Sequence, residues 1–393
     1  MFRFFLLWCI GFIGLVVLVG CSPDSAVEPT AFAVTVAVTR PGSPTPTATP
    51  DLPTPPPTPL PTPTLTATPT DIPQLATPVP AFPGMIYQNE EGLWRVGSDW
   101  QPDLLSNQSG VVLSPDGRQV AYVQASDVWV LDLVSEQTVN VTAGSGRTHC
   151  CLQWWAARPG TLLLGSYPAP GEWPSLGQLT LVNSDGSNYQ VVEGESNAFP
   201  AGAPDGQTIA YDVGGTMMLY NLVNNNSQPL ALNDFALPEG ITILQSGSPA
   251  WSPDGQKLAW MVAINNPEQS WLAAVALFDL TSQQAQFIHP YPDVMGRGGW
   301  FNAPVWSYDG QWLAFEVESE NEQTRGVWVA AANSSEEHYL GPGSRPVWNS
   351  RGNQLIFEGD WQENGWQHWL VSTTNWQAVP LYLPGSYAVL IAW

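Results

Sequence analysis

The chain of 393 residues has little positive charge. It carries 11 Lys+Arg against 34 Asp+Glu, a formal net charge of −23, and Lys257 is its only lysine. A nucleic-acid binder needs clustered cations to displace counterions from phosphate. No such cluster occurs, so nucleic acid is excluded as a partner. The acidic excess keeps a protein soluble and carries no information about fold. Catalytic signatures are missing as well. No G-x-S-x-G elbow occurs, nor H-E-x-x-H, nor Cys/His pairs at ligand spacing, so no catalytic set, metal site or cofactor is expected. The four histidines, His149, His289, His338 and His368, stand at unlike positions and read as strand or surface residues rather than bases. "NSDGSN" (Asn183–Asn188) is faintly like a calcium loop but lacks the later ligands, and reads better as a hairpin turn.

Three zones differ in what they do contain. Residues 1–20 are apolar with one early cation, Arg3, the plan of a secretory signal. The run ends on Leu18-Val19-Gly20-Cys21, which resembles the lipobox of bacterial lipoproteins. That resemblance implies cleavage before Cys21, a diacylglycerol on its thiol, and a protein held by lipid on the outer face of the bacterial cell membrane. An uncleaved membrane helix is the competing reading, since the run is just long enough to span. Residues 21–83 then read as the lipidated cysteine and a tether of Pro, Thr, Ala and Ser. Proline removes backbone donors and fixes φ, and large apolar residues are too few to offset ordering entropy. An extended tether is expected, reaching at most about 190 Å at ~3.1 Å per residue. A docking site for a Pro-binding module is the alternative.

Residues 84–393 are rich in Trp, Val, Leu and Gly, and they repeat. "SPAWSPDGQKLAW" (Ser248–Trp260), "APVWSYDGQWLAF" (Ala303–Phe315) and "RPVWNSRGNQLIF" (Arg345–Phe357) are near-copies. Six turns end on Gly117, Gly160, Gly206, Gly255, Gly310 and Gly352, at spacings of 43, 46, 49, 55 and 42 residues. Repeats of this length mean stacked supersecondary units. Each has a short apolar stretch, the turn, an alternating strand such as "QKLAWMV", a third such as "AAVALFDL", and a weaker fourth. Four short antiparallel strands per repeat describe a β-propeller blade. In the turn, Pro sets φ, Asp bonds the backbone ahead and Gly accepts positive φ. The preceding tryptophan suits packing between blades.

The "PxWSPDGxxLAW" phrases resemble the PD40 repeats of TolB-type β-propellers, over essentially all of residues 84–393. The resemblance implies the fold and leaves the function open. "AARPG" and "NSRG" lack the Asp but keep the glycine.

The ends complete the count. "SYAVLIAW" aligns Trp393 with Trp251, Trp306 and Trp348, and "GMIYQNEEGLWRVGSDWQPDLLS" supplies three later strands without a first. The C-terminal strand is therefore expected to close the N-terminal blade. The result is an all-β, monomeric propeller of seven four-stranded blades, with six as the alternative.

Propeller ligands usually meet the ring at its central opening. The residues leading into each first strand are the candidate ligand contacts: His149, Asn197, Ser248, Asn302, Arg345 and Tyr387. Arg345, the strong cation among them, is suited to an anionic group. They include no acidic pair, which counts against a glycosidase or polysaccharide lyase at the mouth. Trp300 and Phe301 in "GRGGWF", and Trp361, Trp366 and Trp369 in "DWQENGWQHW", read as loop aromatics able to stack on a sugar or a protein partner. Cys150 and Cys151 either close a vicinal disulfide or stay as thiols. The expected function is a non-catalytic binding or scaffold module for a protein, peptide or cell-wall glycan. A propeller enzyme is the alternative.

Overall fold

The computed structural model describes residues 79–108, 110–168, 177–196, 200–230, 242–266, 270–291, 302–317, 324–360, 366–384 and 388–393. Every regular element among them is a strand. After β1 (Val79–Pro80), four-stranded antiparallel sheets follow one another as blades. Blade 1 holds β2 (Ile86–Asn89), β3 (Gly92–Val96) and β4 (Pro102–Ser106). Blade 2 holds β5 (Val112–Leu113), β6 (Gln119–Gln124), β7 (Asp127–Asp132) and β8 (Thr138–Asn140). Blade 3 is β9 (Arg147–Trp154), β10 (Thr161–Pro168), β11 (Gly177–Asn183) and β12 (Gln190–Ser196). Blade 4 is β13 (Ala201–Gly202), β14 (Thr208–Val213), β15 (Thr216–Asn221) and β16 (Asn226–Pro229). Blade 5 is β17 (Thr242–Trp251), β18 (Lys257–Asn266), β19 (Ser270–Asp279) and β20 (Gln284–Tyr291). Blade 6 is β21 (Val305–Trp306), β22 (Trp312–Val317), β23 (Gly326–Ala331) and β24 (Glu337–Gly341). Blade 7 is β25 (Ser344–Trp348), β26 (Gln354–Asp360), β27 (Trp366–Ser372) and β28 (Ala378–Tyr382).

The last strand, β29 (Val389–Ala392), pairs with β2 and gives blade 1 its missing first strand. The seven-bladed count and its closure are thus as the repeats require. Seven hydrophobic clusters fill the seven junctions between neighbouring blades. Ile356, Leu370 and Leu381 of blade 7, for example, meet Tyr87, Val96 and Leu390 of blade 1 across the closure. Burying both faces of each sheet in this way stabilises the ring by roughly 25 cal/mol per Å² of apolar surface removed from water.

The repeated tryptophan also bonds across five of the junctions. Its indole N–H donates to a carbonyl of the preceding blade's first strand: Trp154 to Val112 O at 3.0 Å, Trp251 to Ala201 O at 3.0 Å, Trp306 to Ala250 O at 3.1 Å. Trp348 reaches Val305 O at 3.0 Å, and Trp393 completes the series on Val347 O at 3.2 Å. Blade 4 has Gly202 where the tryptophan would stand. Trp155 of blade 3 fills that space, with its indole bonded to Ala203 O at 2.8 Å. A Cβ on Gly202 would lie 2.4 Å from the Trp155 ring.

The turns follow their expected chemistry. The six turn glycines have φ between 67° and 78°. Asp116, Asp254 and Asp309 each accept from the Ser hydroxyl two residues earlier at 2.6 Å, and from the backbone N–H two residues later. In "NSRG" the side-chain oxygen of Asn349 does this work, accepting from the Asn353 and Gln354 amides. The "NSDGSN" segment is the hairpin turn between β11 and β12, with Gly186 at φ 82°.

One boundary needs correction. The expected tether ran to residue 83, but β1 pairs in parallel with the outer edge of β28, Val79 opposite Leu381 and Pro80 opposite Tyr382. Ala81 is buried, and Phe82 stacks on Trp393 with centroids 6.1 Å apart. Proline is tolerated there because the strand is at a sheet edge.

Candidate functional site

Each Ser-Pro-Asp-Gly turn joins a first strand to a second on one face of the ring. On the opposite face the first strands begin and the second strands end. At this mouth the first strands of blades 3, 5 and 7 carry β-bulges, devices that re-aim side chains. Cys151, Ser248 and Arg345 each stand three residues before the repeat tryptophan, and all three fall within a bulge. Cys151 and Arg345 take positive φ, 61° and 54°. Such backbone costs about 1–3 kcal/mol for a non-glycine residue and persists where its surroundings over-determine it.

Around Arg345 the bulge assembles a polar network. The Arg345 backbone N–H donates to Glu316 Oε1 at 2.6 Å, so blade 6 holds the bulge of blade 7. Asn302 Nδ2 donates to the other oxygen, Glu316 Oε2, at 2.9 Å. The Arg345 guanidinium lies 3.5 Å from Glu358 Oε2, with 57% of its side chain exposed against 13% for Glu358. Behind it, Glu358 Oε1 stands 3.8 Å from His368 Nε2; both atoms are buried and neither makes a hydrogen bond. The site therefore offers one exposed cation beside the Glu358 carboxylate, with the Glu316 carboxylate bound to its backbone and His368 behind Glu358.

The other expected contacts fare differently. His149 is 2% exposed. Its backbone N–H and ring Nδ1 both meet Ser126 O, at 3.1 and 2.8 Å, which makes Nδ1 the protonated nitrogen. Nε2 then accepts from the Tyr189 hydroxyl at 3.2 Å. The Ala125–Ser126 turn it clasps has φ of 51° and 75°, values that a hairpin turn ordinarily assigns to Asn or Gly. His149 is thus a brace for that turn rather than a ligand contact, and burial pushes its pKa down. Ser248 is buried too. Trp369, expected on a loop, is in β27 and 6% exposed, packed in the core between blades 6 and 7. Trp366 begins the same strand. Cys21, Asn197, Trp300, Phe301, Trp361 and Tyr387 lie outside the described residues. Cys150 and Cys151 are bonded to each other as a vicinal disulfide.

Glu316 and Glu358 were missed by sequence reasoning. Each sits ten residues after its repeat tryptophan, in "AFEV" and "IFEG". The signal was this shared offset, which a search confined to the first strands passes over. No group of three or more His, Cys, Asp or Glu among the described residues is arranged to hold a metal ion.

The architecture defines a seven-bladed β-propeller. No family model matches the chain, and no curated protein matches it. Among solved structures, an oligogalacturonate lyase in complex with manganese is 15% identical, covering 71% of this chain and 82% of its own, with a TM-score of 0.53. An oligogalacturonate lyase from Vibrio parahaemolyticus is 13% identical over 73% of this chain and 90% of its own, with a TM-score of 0.52. TolB from Acinetobacter baumannii is 13% identical over 78% of this chain and 81% of its own, with a TM-score of 0.42. At these identities the likeness is one of fold, and fold does not fix function.

Proposed function

We propose that this chain is an extracytoplasmic, lipid-anchored binding module of PD40-like repeats. Cys21 carries the anchor and the Pro/Thr-rich segment acts as spacer. The observation that supports a binding role is the Asn302–Glu316–Arg345–Glu358 network. It presents a donor-rich guanidinium beside the Glu358 acceptor on the ring, with Glu316 holding its strained backbone. Alternating donors and acceptors suit a hydroxyl-rich glycan or a peptide backbone better than a polyanion, which the flanking carboxylates would repel. Pull-down from membrane extracts beside a cell-wall glycan array tests this. A bound glycan or protein whose retention falls at least about tenfold in Arg345→Ala, the loss of one charge-assisted contact, supports the reading. Binding to neither overturns it. The anchor has its own test. Palmitate label on the wild type should vanish in Cys21→Ala, and label that persists removes the assignment.

A second reading rests on one specific observation. Glu316 and Glu358 both contact Arg345, so two carboxylates share the mouth, as a glycosidase requires. Hydrolysis of a cell-wall glycan that disappears in both Glu316→Gln and Glu358→Gln would replace the binding module with an enzyme.

A further inference from the structure

Blade 3 places a disulfide where blade 7 places Arg345. Cys151 has Arg345's position in the bulge and its left-handed backbone, so the Cys150–Cys151 bond lies on the mouth side of the ring. Both cysteines are half-buried rather than sealed in the core. The strands around them are cut to fit. A Cβ on Gly165, opposite Cys150 in β10, would come 3.2 Å from Cys150 Sγ and 3.7 Å from Cys151 Cβ. One on Gly177 would come 3.0 Å from the Tyr167 ring. Two glycines thus make room for the sulfur and for the tyrosine beside it.

The two sulfurs differ. The Tyr167 hydroxyl lies 3.4 Å from Cys150 Sγ, and a disulfide sulfur has no proton, so the hydroxyl is the donor. No such donor reaches Cys151 among the described residues. Burial raises the Tyr167 pKa above that of a free phenol, so the phenol is protonated at neutral pH. A hydrogen bond to one sulfur stabilises the thiolate that forms when the bond to it breaks, which makes that sulfur the better leaving group.

We propose that Cys150–Cys151 is a thiol–disulfide exchange site at the channel mouth, reduced by a dithiol. A thiolate of the dithiol attacks Cys151 Sγ, and the S–S bond breaks. Its electron pair leaves on Cys150, which accepts from Tyr167 and then takes a proton from water. The second thiol of the reductant attacks its own sulfur in the mixed disulfide and releases Cys151. Two electrons and two protons pass to the pair, and the dithiol becomes a disulfide. Oxidation by a partner disulfide runs the same steps in reverse.

The test uses the full folded chain, with mass spectrometry of the peptide that holds both cysteines. Dithiothreitol followed by iodoacetamide should label Cys150 and Cys151 while the β circular dichroism is retained. Glutathione, a monothiol, should leave its adduct on Cys151 and iodoacetamide on Cys150. Tyr167→Phe should slow native reduction about 2- to 10-fold, the worth of one hydrogen bond, and leave the rate in guanidinium unchanged. Labelling that requires unfolding, or a glutathione adduct on Cys150, overturns the proposal. An unchanged native rate in a folded Tyr167→Phe overturns the leaving-group role. The glutathione arm uses the wild-type chain, so a variant that fails to fold leaves the proposal open to refutation.

Discussion

The two ends of the first strands obey different rules. At the turn end, blades 2, 5 and 6 repeat the same bonds to within 0.1 Å, Ser hydroxyl to Asp and Asp to backbone amide. At the mouth end, one place in the repeat holds a disulfide cysteine in blade 3, a buried serine in blade 5 and an exposed arginine in blade 7. The same strands carry both ends, so the difference lies in the work done there. Repetition marks what the ring needs to close. Divergence marks positions where closure imposes no shared residue.

The largest effect that would sharpen this contrast is at the closure. Deleting residues 386–393 removes β29, the Trp393 bond to Val347 O and the stack on Phe82. Blade 1 is left with an open edge, and urea unfolding followed by circular dichroism should lose its single cooperative transition. Retention of that transition would mean that the ring does not depend on its shared blade. Next comes Gly202→Ala, which sets a methyl against the Trp155 ring. Overpacking of this kind should cost about 3 kcal/mol, read as a lower urea midpoint at constant slope.

Much of this was legible beforehand, and what was not has physical causes. Periodicity gave the blades, and Trp393 gave the closure, because one residue type does one job at five of the junctions. Burial at the mouth was hidden. Nothing in "THCCLQW" says that His149 turns in to clasp Ser126 O, since that contact depends on a turn 23 residues away. Trp369 was misplaced because "DWQENGWQHW" reads as polar, although the strand starts inside it at Trp366. β1 was hidden by its proline, Pro80, which excludes a central strand but not an edge.

A smaller effect probes the mouth's structural members. Burial lowers the pKa of His149, so the folded chain binds its proton less readily than the unfolded chain does. The stability tied to this histidine is therefore present above the unfolded value of about 6.5 and is lost as pH falls below it toward the lower folded value. Unfolding midpoints between pH 7.5 and 5 should decline for the wild type and decline less for His149→Gln. Equal slopes would mean that the brace does not titrate in this range.

The turn end has the smallest pH signature. The Ser252 hydroxyl and the Gln256 amide hold the Asp254 carboxyl below its usual range. Its contribution is present above about pH 4 and is lost as pH falls through the lower folded value.

One paired measurement tests the division of labour most directly: urea unfolding at pH 7 and cell-wall glycan array signal, on Asp254→Ala and Arg345→Ala together. The account predicts that Asp254→Ala loses about 1 kcal/mol of stability and keeps the wild-type array signal, and that Arg345→Ala keeps stability within about 1 kcal/mol, the scale of an exposed ion pair, and loses the signal. Variants that lose stability and signal in step would contradict it.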